Sequence, residues 1–247
     1  MLVGNYPPSR LYVELKIKMA KKAGVTAHLI ELPEHIKQGK IEQIVCDLAD
    51  DVTVSGILIQ LPLPKHLNTN ALIELIPPVK DVDGLTAQNL GRLMNNEKGL
   101  IPCTPLGVME LIHQYKLSTE GKKAVIVGRS SLVSLPLAML LSRKGIDCTV
   151  TLCHSRTTDL VQECQQADIL VAACGSSEMI TKDFIKAGAI VFDVGVTRKD
   201  GTVYGDVKFD EVSKVAGAIT PMPGGTGPMT VACLIKNTVL ATTIQSK

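Results

Sequence analysis

A run rich in proline and glycine near the C-terminus restricts the fold more than any other feature of the sequence. Three prolines and three glycines stand between residues 221 and 228, a density that excludes a strand or a helix interior. An apolar, helix-compatible stretch follows at residues 231–244. The pattern predicts a rigid loop leading into a helix, with Pro228 in the first turn, where its missing N–H costs nothing. Such a loop can hold a flat or charged ligand against backbone N–H groups, although a tight turn before a capped helix is the simpler interpretation.

Upstream of this run, short apolar segments alternate with longer helical patterns. Predicted strands lie at 25–32, 56–61, 123–127, 148–152, 169–173 and 190–194. Predicted helices lie at 9–23, 36–49, 67–76, 106–115, 132–144, 158–166 and 181–186. Strand–helix alternation is typical of α/β proteins with parallel sheets. We therefore predict an α/β fold of two domains, an N-terminal α/β domain and a Rossmann-like domain.

Composition excludes several classes of function. A formal net charge of +2 and only seven aromatic residues in 247 give no basis for nucleic-acid binding, and no apolar run is long enough to suggest a membrane partner. The seven cysteines contain no C-x-x-C pair, so neither a zinc site nor another metal site is expected. Free thiols are typical of a reducing compartment, and a cytoplasmic protein is therefore expected.

Four further motifs accompany the loop TPMPGGTGPMT at 220–230. They are SRLYVELK at 9–16, GILIQLPLP at 56–64, KDVDG at 80–84 and VGRS at 127–130. Together the five motifs resemble, in the same order, those of the methylenetetrahydrofolate dehydrogenase/cyclohydrolase family, the bifunctional folate enzymes of one-carbon metabolism. Met222 and Thr226 stand where that family usually has valines.

The resemblance implies both an activity and a domain layout. The activity is NADP-dependent oxidation of 5,10-methylenetetrahydrofolate to the 5,10-methenyl form and hydrolysis of that product to 10-formyltetrahydrofolate, which serves purine biosynthesis. The layout is a folate-binding catalytic domain of residues 1–104 and 227–247, to which the C-terminal helix returns, and an NADP-binding Rossmann-like domain of residues 105–226. A homodimer is also implied. The family's N-terminal helix has no counterpart here, because residues 1–5 resemble the end of the strand that would follow it.

Two residues on the first predicted helix are candidates for folate chemistry. Tyr12 and Lys16 are four positions apart and therefore project from one helix face. Taken alone, a lysine on a helix face is usually solvated. The resemblance implies that Tyr12 stacks against the folate and that Lys16 is central to the cyclohydrolase step.

Gln60 and Asp83 complete the expected catalytic group. Gln60 ends a predicted strand, where α/β sheets place ligand sites, but a strand-end amide can equally bind the backbone. The resemblance implies that Gln60 positions Lys16. Asp83 lies in a turn motif, for which turn chemistry is the plain interpretation and a D-x-D metal site a weaker one. The resemblance implies that Asp83 holds the pterin, whose adjacent N–H donors suit a carboxylate. Other residues that it implies in substrate binding are Val13, Ile59, Leu61, Pro223, Gly224, Gly225, Thr226 and Gly227.

The expected cofactor site begins after the strand at 123–127. Gly128, Arg129 and Ser130 open a turn that lacks the G-x-G-x-x-G pattern, so by that criterion the dinucleotide signal is weak. The family pattern G-R-S-x-x-V-G-x-P fits better, with Ser134 in place of its last glycine, and this serine puts cofactor affinity in doubt. Ser155 and Arg156 follow the next strand, which has no carboxylate to hold a ribose. Hydroxyls and cations there favour the 2′-phosphate of NADP over NAD, and the resemblance adds Val196 to the cofactor contacts.

The expected chemistry needs few residues. Hydride loss from a carbon between two nitrogens requires orientation of two flat rings rather than a strong base. Hydrolysis of the methenyl cation needs an activated water, for which Lys16 with Gln60 is the candidate pair. An ammonium would repel that cation, so we hypothesise that Lys16 acts at least partly as the neutral amine.

Two alternatives stay open at this stage. One is a different two-domain NADP dehydrogenase, similar to shikimate dehydrogenase, which would leave the loop at 220–230 unexplained. The other is a truncated, inactive paralogue that binds folate without turnover.

Overall fold

The computed structural model of the chain describes residues 1–199 and 201–246, and of Pro8 only the backbone. The chain divides into two compact units. Unit 1 contains residues 1–103 and 231–246, and unit 2 contains Thr104–Thr230. Unit 1 is therefore built from both ends of the chain.

Unit 1 combines helices with a short parallel sheet. Its elements are β1 (Leu2–Val3), α1 (Pro7–Lys22), β2 (Glu31–Leu32), α2 (Gln38–Asp50), α3 (Thr69–Glu74) and α4 (Ala87–Met94). Strands β1 and β2 pair in parallel. The apolar faces of the helices meet around the fully buried side chains of Ile41, Val45 and Leu72.

Helix α1 begins two residues earlier than the sequence suggested. Pro7 occupies its first turn, where the fixed φ of proline suits a helix start and no N–H is lost. Ser9, expected as the first residue, lies inside the helix, is buried, and directs its hydroxyl to the Leu61 carbonyl at 3.5 Å. Gly24, with a φ of +73°, follows the helix end, a position for which glycine is suited.

Two predicted strands of unit 1 are only partly regular. In the segment 25–32, only Glu31 and Leu32 form a strand. The segment 56–61 makes a single parallel bridge, from Ile57 to Asp81, and a backbone bond from Gln60 N to Met1 O at 2.9 Å. The continuous apolar run predicted a strand covered on both faces, but the segment forms no regular strand and is buried only at Ile57 and Ile59.

Unit 2 contains a five-stranded parallel sheet with strand order β4-β3-β5-β6-β9. Its elements are α5 (Cys103–Gln114), β3 (Lys123–Val127), α6 (Ser134–Leu141), β4 (Thr149–Cys153), α7 (Leu160–Gln165), β5 (Ile169–Ala172), a 3₁₀ turn (Lys182–Phe184), β6 (Ile190–Asp193), the antiparallel pair β7 (Thr197–Lys199) and β8 (Thr202–Tyr204), α8 (Phe209–Val212) and β9 (Ala218–Ile219). The crossover from β3 leads to β4 on one side of it, and the next crossover, from β4, leads to β5 on its other side. The carboxyl end of β3 is therefore the switch point at which such sheets bind ligands.

The last helix, α9 (Thr226–Gln245), starts in unit 2 and ends in unit 1. Pro228 lies in its first turn, as predicted. In unit 1 the Asn237 amide donates to the Val82 and Ile101 carbonyls, and Gln245 donates to the Ser55 carbonyl at 2.8 Å. These bonds confirm that the C-terminal helix returns to the first domain. Among the described residues, no helix is both long and apolar enough to cross a membrane.

Candidate active site

A hydrogen-bonded pair, Lys16 and Gln60, forms the centre of the site in unit 1. Lys16 Nζ donates to Gln60 Oε1 at 2.9 Å, and Gln60 Nε2 donates to the carbonyl of Leu61 at 2.8 Å. The backbone carbonyl orients the amide, because only its NH₂ group can donate there. Gln60 therefore presents its oxygen to Lys16. The structure brings together two residues that are 44 positions apart in the sequence.

Tyr12 lies one helical turn before Lys16 and is half-buried. Burial raises the pKa of its phenol above the usual value, so the ring is uncharged at neutral pH. An uncharged aromatic ring beside the amine can stack on a flat ligand.

Three neighbours of these residues differ in how much of their side chain a ligand can reach. Val13 is 7% exposed and Ile59 is 4% exposed, so both side chains belong to the core and any ligand contact would be made by their backbone. Leu61 is half-buried, and its carbonyl already accepts hydrogen bonds from Gln60 and Ser9.

The KDVDG motif divides into two scaffold residues and one candidate site residue. Lys80 is buried and donates to the Ala49 and Asp51 carbonyls, both at 2.7 Å. Asp81 accepts from Thr86 N at 2.8 Å and from the Asn89 amide at 2.9 Å. The side chains of Lys80 and Asp81 are thus used within unit 1, and Asp83 stays the carboxylate of the motif that is expected to bind the substrate.

Asp83 is half-buried beside Lys16 and the thiol of Cys103. Burial raises the pKa of its carboxyl group, while the Lys16 charge and a hydrogen bond with Cys103 act in the opposite direction. The following residue, Gly84, has a φ of +72°, and a Cβ there would lie 2.5 Å from the Ile101 carbonyl carbon. Only glycine permits this turn, and the turn holds Asp83 at the Lys16 side of unit 1.

A cavity of about 820 Å³ also lies in unit 1. Lys16 and Val13 line it together with apolar residues such as Leu58, Val82 and Leu234, but Tyr12, Gln60 and Asp83 do not. A folate bound by Tyr12 and Asp83 would therefore not fill this cavity.

The glycine-rich loop at 223–227 lies in unit 2. Pro223 and Gly224 are exposed, and Gly224 has a φ of +111°. Thr226 is buried, and its hydroxyl donates to the Asp193 carbonyl at 2.8 Å. Gly225 and Gly227 are half-buried. Substrate contact by Thr226 would thus involve its backbone, because its side chain anchors the start of α9.

The turn after β3 has the shape that a dinucleotide requires. Gly128 has a φ of +141°, and a Cβ on it would collide with the Ala173 carbonyl oxygen. Ser130, expected to bind the cofactor, uses its hydroxyl to accept from Val133 N at 3.2 Å and Ser134 N at 3.4 Å. It therefore caps the start of α6 and leaves the helix-start dipole facing the turn.

Ser134 is completely buried beneath this turn. A Cβ on Gly128 would be 2.7 Å from its hydroxyl oxygen. Within the described part of the chain, that hydroxyl has no hydrogen-bond partner. The serine thus packs between turn and helix, below the surface that a cofactor would contact.

Two cations and a hydroxyl stand at neighbouring strand ends. Val127 of β3 is in register with Cys153 of β4, so Arg129 and Ser155 each follow their strand by two residues. Arg129, Ser155 and the adjacent Arg156 are exposed. This arrangement fits a 2′-phosphate, for which guanidinium groups are suited donors.

His154, between these strand ends, is structural. Its ring nitrogen Nδ1 accepts from Arg156 N at 3.1 Å, and the backbone N–H of His154 donates to the Thr157 hydroxyl at 2.8 Å. Val196, the remaining expected cofactor contact, is 41% exposed after β6.

The sequence patterns missed four buried polar residues. Asn237 and Cys103 lie against the Asp83 turn, and Asp193 and Asp206 lie at the carboxyl end of the sheet in unit 2. Asp193 accepts the N–H groups of Gly195, Asp206 and Val207. The only signal in the sequence was the polar residue itself within an apolar segment. No group of three or more His, Cys, Asp or Glu side chains placed to hold a metal occurs among the described residues.

Two protein-family domains match this chain. Residues 1–83 match the catalytic domain of tetrahydrofolate dehydrogenase/cyclohydrolase. Residues 102–246 match the NAD(P)-binding domain of tetrahydrofolate dehydrogenase/cyclohydrolase.

Individual relatives are similar over nearly the whole chain. The bifunctional protein FolD of Pelagibacter ubique is 46% identical over 239 residues, which are 97% of this chain and 84% of the relative. The crystal structure of the bifunctional FolD methylenetetrahydrofolate dehydrogenase/cyclohydrolase from Campylobacter jejuni is 42% identical, with a TM-score of 0.94, and the match covers 98% of this chain and 86% of that one. The Trypanosoma brucei enzyme, crystallised with NADP and an inhibitor, is 36% identical with a TM-score of 0.94, covering 100% and 86%.

Proposed function

This chain belongs to the tetrahydrofolate dehydrogenase/cyclohydrolase family, and from that premise we infer how its own residues carry out the family's two reactions. The chain is a bifunctional methylenetetrahydrofolate dehydrogenase and methenyltetrahydrofolate cyclohydrolase of one-carbon metabolism. Unit 2 carries the NAD(P)-binding domain. The bond of 2.9 Å between Lys16 and Gln60 is the observation that carries our assignment of residues.

In the dehydrogenase step, unit 1 orients the folate and does not itself react. The Tyr12 ring provides a flat apolar surface, and the Asp83 carboxylate accepts the adjacent N–H groups of the pterin. When bound, the nicotinamide cofactor supplies the hydride acceptor. The substrate nitrogens stabilise the cation that remains, so orientation is the main contribution of these side chains.

In the cyclohydrolase step, Lys16 handles the proton. Nζ takes one proton from the water as its oxygen bonds to the methenyl carbon, and the same nitrogen passes that proton to the ring nitrogen as the bond between this nitrogen and the carbon breaks. The remaining hydroxyl proton is released to solvent as the formyl carbonyl forms. Gln60 holds Nζ in one place throughout, because its amide is itself held by the Leu61 carbonyl.

We assign NADP as the preferred cofactor. The exposed Arg129 and Arg156 and the hydroxyl of Ser155 support the assignment, because they follow neighbouring strands and lie beside the Gly128 turn. Arg129→Ala tests it through two dissociation constants. NADP affinity should fall about tenfold or more, while NAD affinity stays nearly unchanged. Equal weakening of both cofactors would instead make Arg129 a structural residue of the turn.

A homodimer and a cytoplasmic location remain part of the proposal. Light scattering on the purified protein measures the first, and cell fractionation measures the second.

One assay tests the double activity. NADPH formation and methenyl decay are followed together from methylenetetrahydrofolate, and both signals are expected. If neither appears while calorimetry still detects folate and NADP binding, the chain is an inactive paralogue. If only NADPH appears, the assignment of Lys16 and Gln60 is wrong.

A further inference from the structure

Asp193, the last residue of β6, is hydrogen-bonded through its backbone to the glycine-rich loop at 223–227 and the segment before it. Its N–H donates to the Thr220 hydroxyl at 2.8 Å, and its carbonyl accepts from the Thr226 hydroxyl at 2.8 Å. Thr220 precedes the loop, and Thr226 lies near its end. The backbone of one residue therefore holds both ends of the loop that is expected to contact the folate.

The Asp193 carboxylate binds a second segment, which contains the strands β7 and β8. Its Oδ1 accepts from Gly195 N at 3.1 Å and from Asp206 N at 3.0 Å, and its Oδ2 accepts from Val207 N at 3.0 Å. Gly195 lies directly before Val196, whereas Asp206 and Val207 follow β8. The carboxylate thus holds both ends of the hairpin that presents Val196, the expected cofactor contact.

The hairpin packs closely on this carboxylate and on the end of β5. A Cβ on Gly205 would collide with Asp193 Oδ2. Asp206, which is completely buried, accepts from Cys174 N at 2.7 Å and from Gly175 N at 2.8 Å. Asp193 is only 2% exposed, so water does not compete for its hydrogen bonds. Moving the hairpin would break several buried bonds to charged acceptors, which are stronger than bonds between neutral groups.

Hydride transfer depends on the relative position of two ligands. One C–H bond at the methylene carbon breaks, the hydrogen leaves with the electron pair for the nicotinamide ring, and the two neighbouring nitrogens stabilise the cation. A misplacement of about 1 Å in such an arrangement costs about a hundredfold in rate. The glycine-rich loop is expected to contact the folate and Val196 the cofactor, and Asp193 is bonded to both segments.

We propose that Asp193 is a positioning residue for hydride transfer: its backbone sets the loop that contacts the folate, and its carboxylate sets the hairpin that contacts the cofactor. The inference rests on the proposed ligand contacts of the loop at 223–227 and of Val196. The cyclohydrolase step uses Lys16 and Gln60 in unit 1 and needs no alignment with a cofactor.

The test compares the two activities of each purified variant. Asp193→Asn keeps only one of the two carboxylate oxygens as an acceptor, and Thr220→Val keeps the side-chain shape but removes the acceptor for the Asp193 N–H. In both variants the dehydrogenase kcat at saturating folate and NADP should fall by about tenfold or more. The cyclohydrolase kcat, measured from methenyltetrahydrofolate without cofactor, should change by less than about twofold.

The ratio of the two kcat values separates positioning from a loss of folded protein. A smaller folded fraction lowers both activities of one sample equally and leaves their ratio unchanged. Asp210→Asn and Thr202→Val change exposed residues of unit 2 in the same chemical way and should keep the wild-type ratio. If Asp193→Asn yields no folded protein, Thr220→Val alone decides the test.

Each outcome has one consequence. A lower ratio in the folded variants, with an unchanged NADP dissociation constant by calorimetry, supports the proposal. A wild-type ratio in either folded variant overturns it, and so does a loss of dehydrogenase activity that saturating NADP restores. Val196→Ala tests the underlying contact separately, since unchanged NADP affinity in that variant would overturn the proposed role of Val196 instead.

Discussion

At the residue scale, two consecutive hydrogen bonds determine where the Lys16 amine lies. The Leu61 carbonyl orients the Gln60 amide, and the amide oxygen in turn accepts from Lys16 Nζ at 2.9 Å. A long, flexible side chain is thereby confined to one position at little entropic cost during catalysis. Lys18, two residues further along the same helix, is exposed, whereas Lys16 is half-buried.

Lys16→Met should abolish the cyclohydrolase activity, because methionine keeps the side-chain length but can neither accept nor donate the proton. We expect a loss of about a hundredfold or more in methenyl hydrolysis, the usual size of a general acid–base contribution. NADP affinity should be unchanged. Lys18→Met is the matched control and should hydrolyse methenyltetrahydrofolate normally. Normal hydrolysis by Lys16→Met would remove Lys16 from the mechanism.

Ser134→Ala should stabilise the protein by about 1 kcal/mol, because a buried hydroxyl without a partner is destabilising and alanine also favours the helix. Urea unfolding measures the change. The control is Ser142→Ala, at the other end of α6, whose hydroxyl is exposed and donates to the Met139 carbonyl. A lower free energy of unfolding in Ser134→Ala would mean that the Ser134 hydroxyl stabilises the folded protein.

At the scale of elements, α9 joins the C-terminus to the loops around Asp83. Its apolar residues Val231, Cys233, Leu234 and Ala241 are buried, and Asn237 stands among them as a polar residue. A helix that packed by apolar contacts alone could rotate or slide. The Val82 and Ile101 carbonyls fix one register, because the Asn237 side chain of α9 donates to both of them.

Asn237→Leu should destabilise the protein by about 1–3 kcal/mol, since the Ile101 carbonyl loses its side-chain donor and the Val82 carbonyl keeps only the Cys103 thiol. Thermal or urea unfolding measures this value. Thr243→Ala, on the exposed part of the same helix, should change it by less than about 0.5 kcal/mol. Equal effects in the two variants would show that α9 does not depend on this register.

At the scale of the whole molecule, the two units have different electrostatic interiors. In unit 1 the buried Lys80 is neutralised by carbonyl dipoles, whereas in unit 2 Asp193 is a carboxylate surrounded by backbone N–H groups. Burial raises the pKa of Asp193 to about 6, the N–H bonds oppose that change, and the nearby Asp206 adds to it. Unit 2 therefore contains a group that titrates close to physiological pH.

The sign of the resulting pH dependence follows from the raised pKa. The folded protein binds this proton more tightly than the unfolded chain, whose aspartate titrates near 3.8. The stabilisation is complete below about pH 4 and is lost as the pH rises through about 6, by up to about 3 kcal/mol. Relative to Asp193→Asn, the wild type should lose unfolding free energy over this window.

The matched control has the opposite sign. Asp168 is bonded to Lys186 at 2.6 Å, and this hydrogen bond lowers its pKa. Relative to Asp168→Asn, the wild type should therefore lose stability as the pH falls below the usual aspartate range. If the wild type and Asp193→Asn have parallel pH profiles, Asp193 does not titrate in this window.

Local patterns in the sequence were sufficient for much of this architecture. Periodicity located β3, β5 and β6 to within one residue, and motifs identified Lys16, Gln60 and Asp83 as candidates. The errors also concern local structure. Helix α6 is shorter than predicted, and the strand pair β7–β8 was not predicted. The ends of helices and strands depend on capping and strand pairing. At the start of α6, for example, the Ser130 hydroxyl accepts from Val133 N.

The sequence by itself determined the α/β alternation, the glycines that allow positive φ angles at turns, and the identity of the family. Only the tertiary structure decided that Asp81 is hydrogen-bonded to Thr86 and Asn89, that the Ser134 hydroxyl is buried, and which residues surround Asp83. The physical reason is the separation along the sequence over which each kind of interaction acts. Helix, strand and turn preferences act between near neighbours, whereas Asn237 meets Val82 across 155 positions and Lys16 meets Gln60 across 44. Contacts of that kind exist only after packing has brought the segments together, because each residue involved has no local preference for its partner.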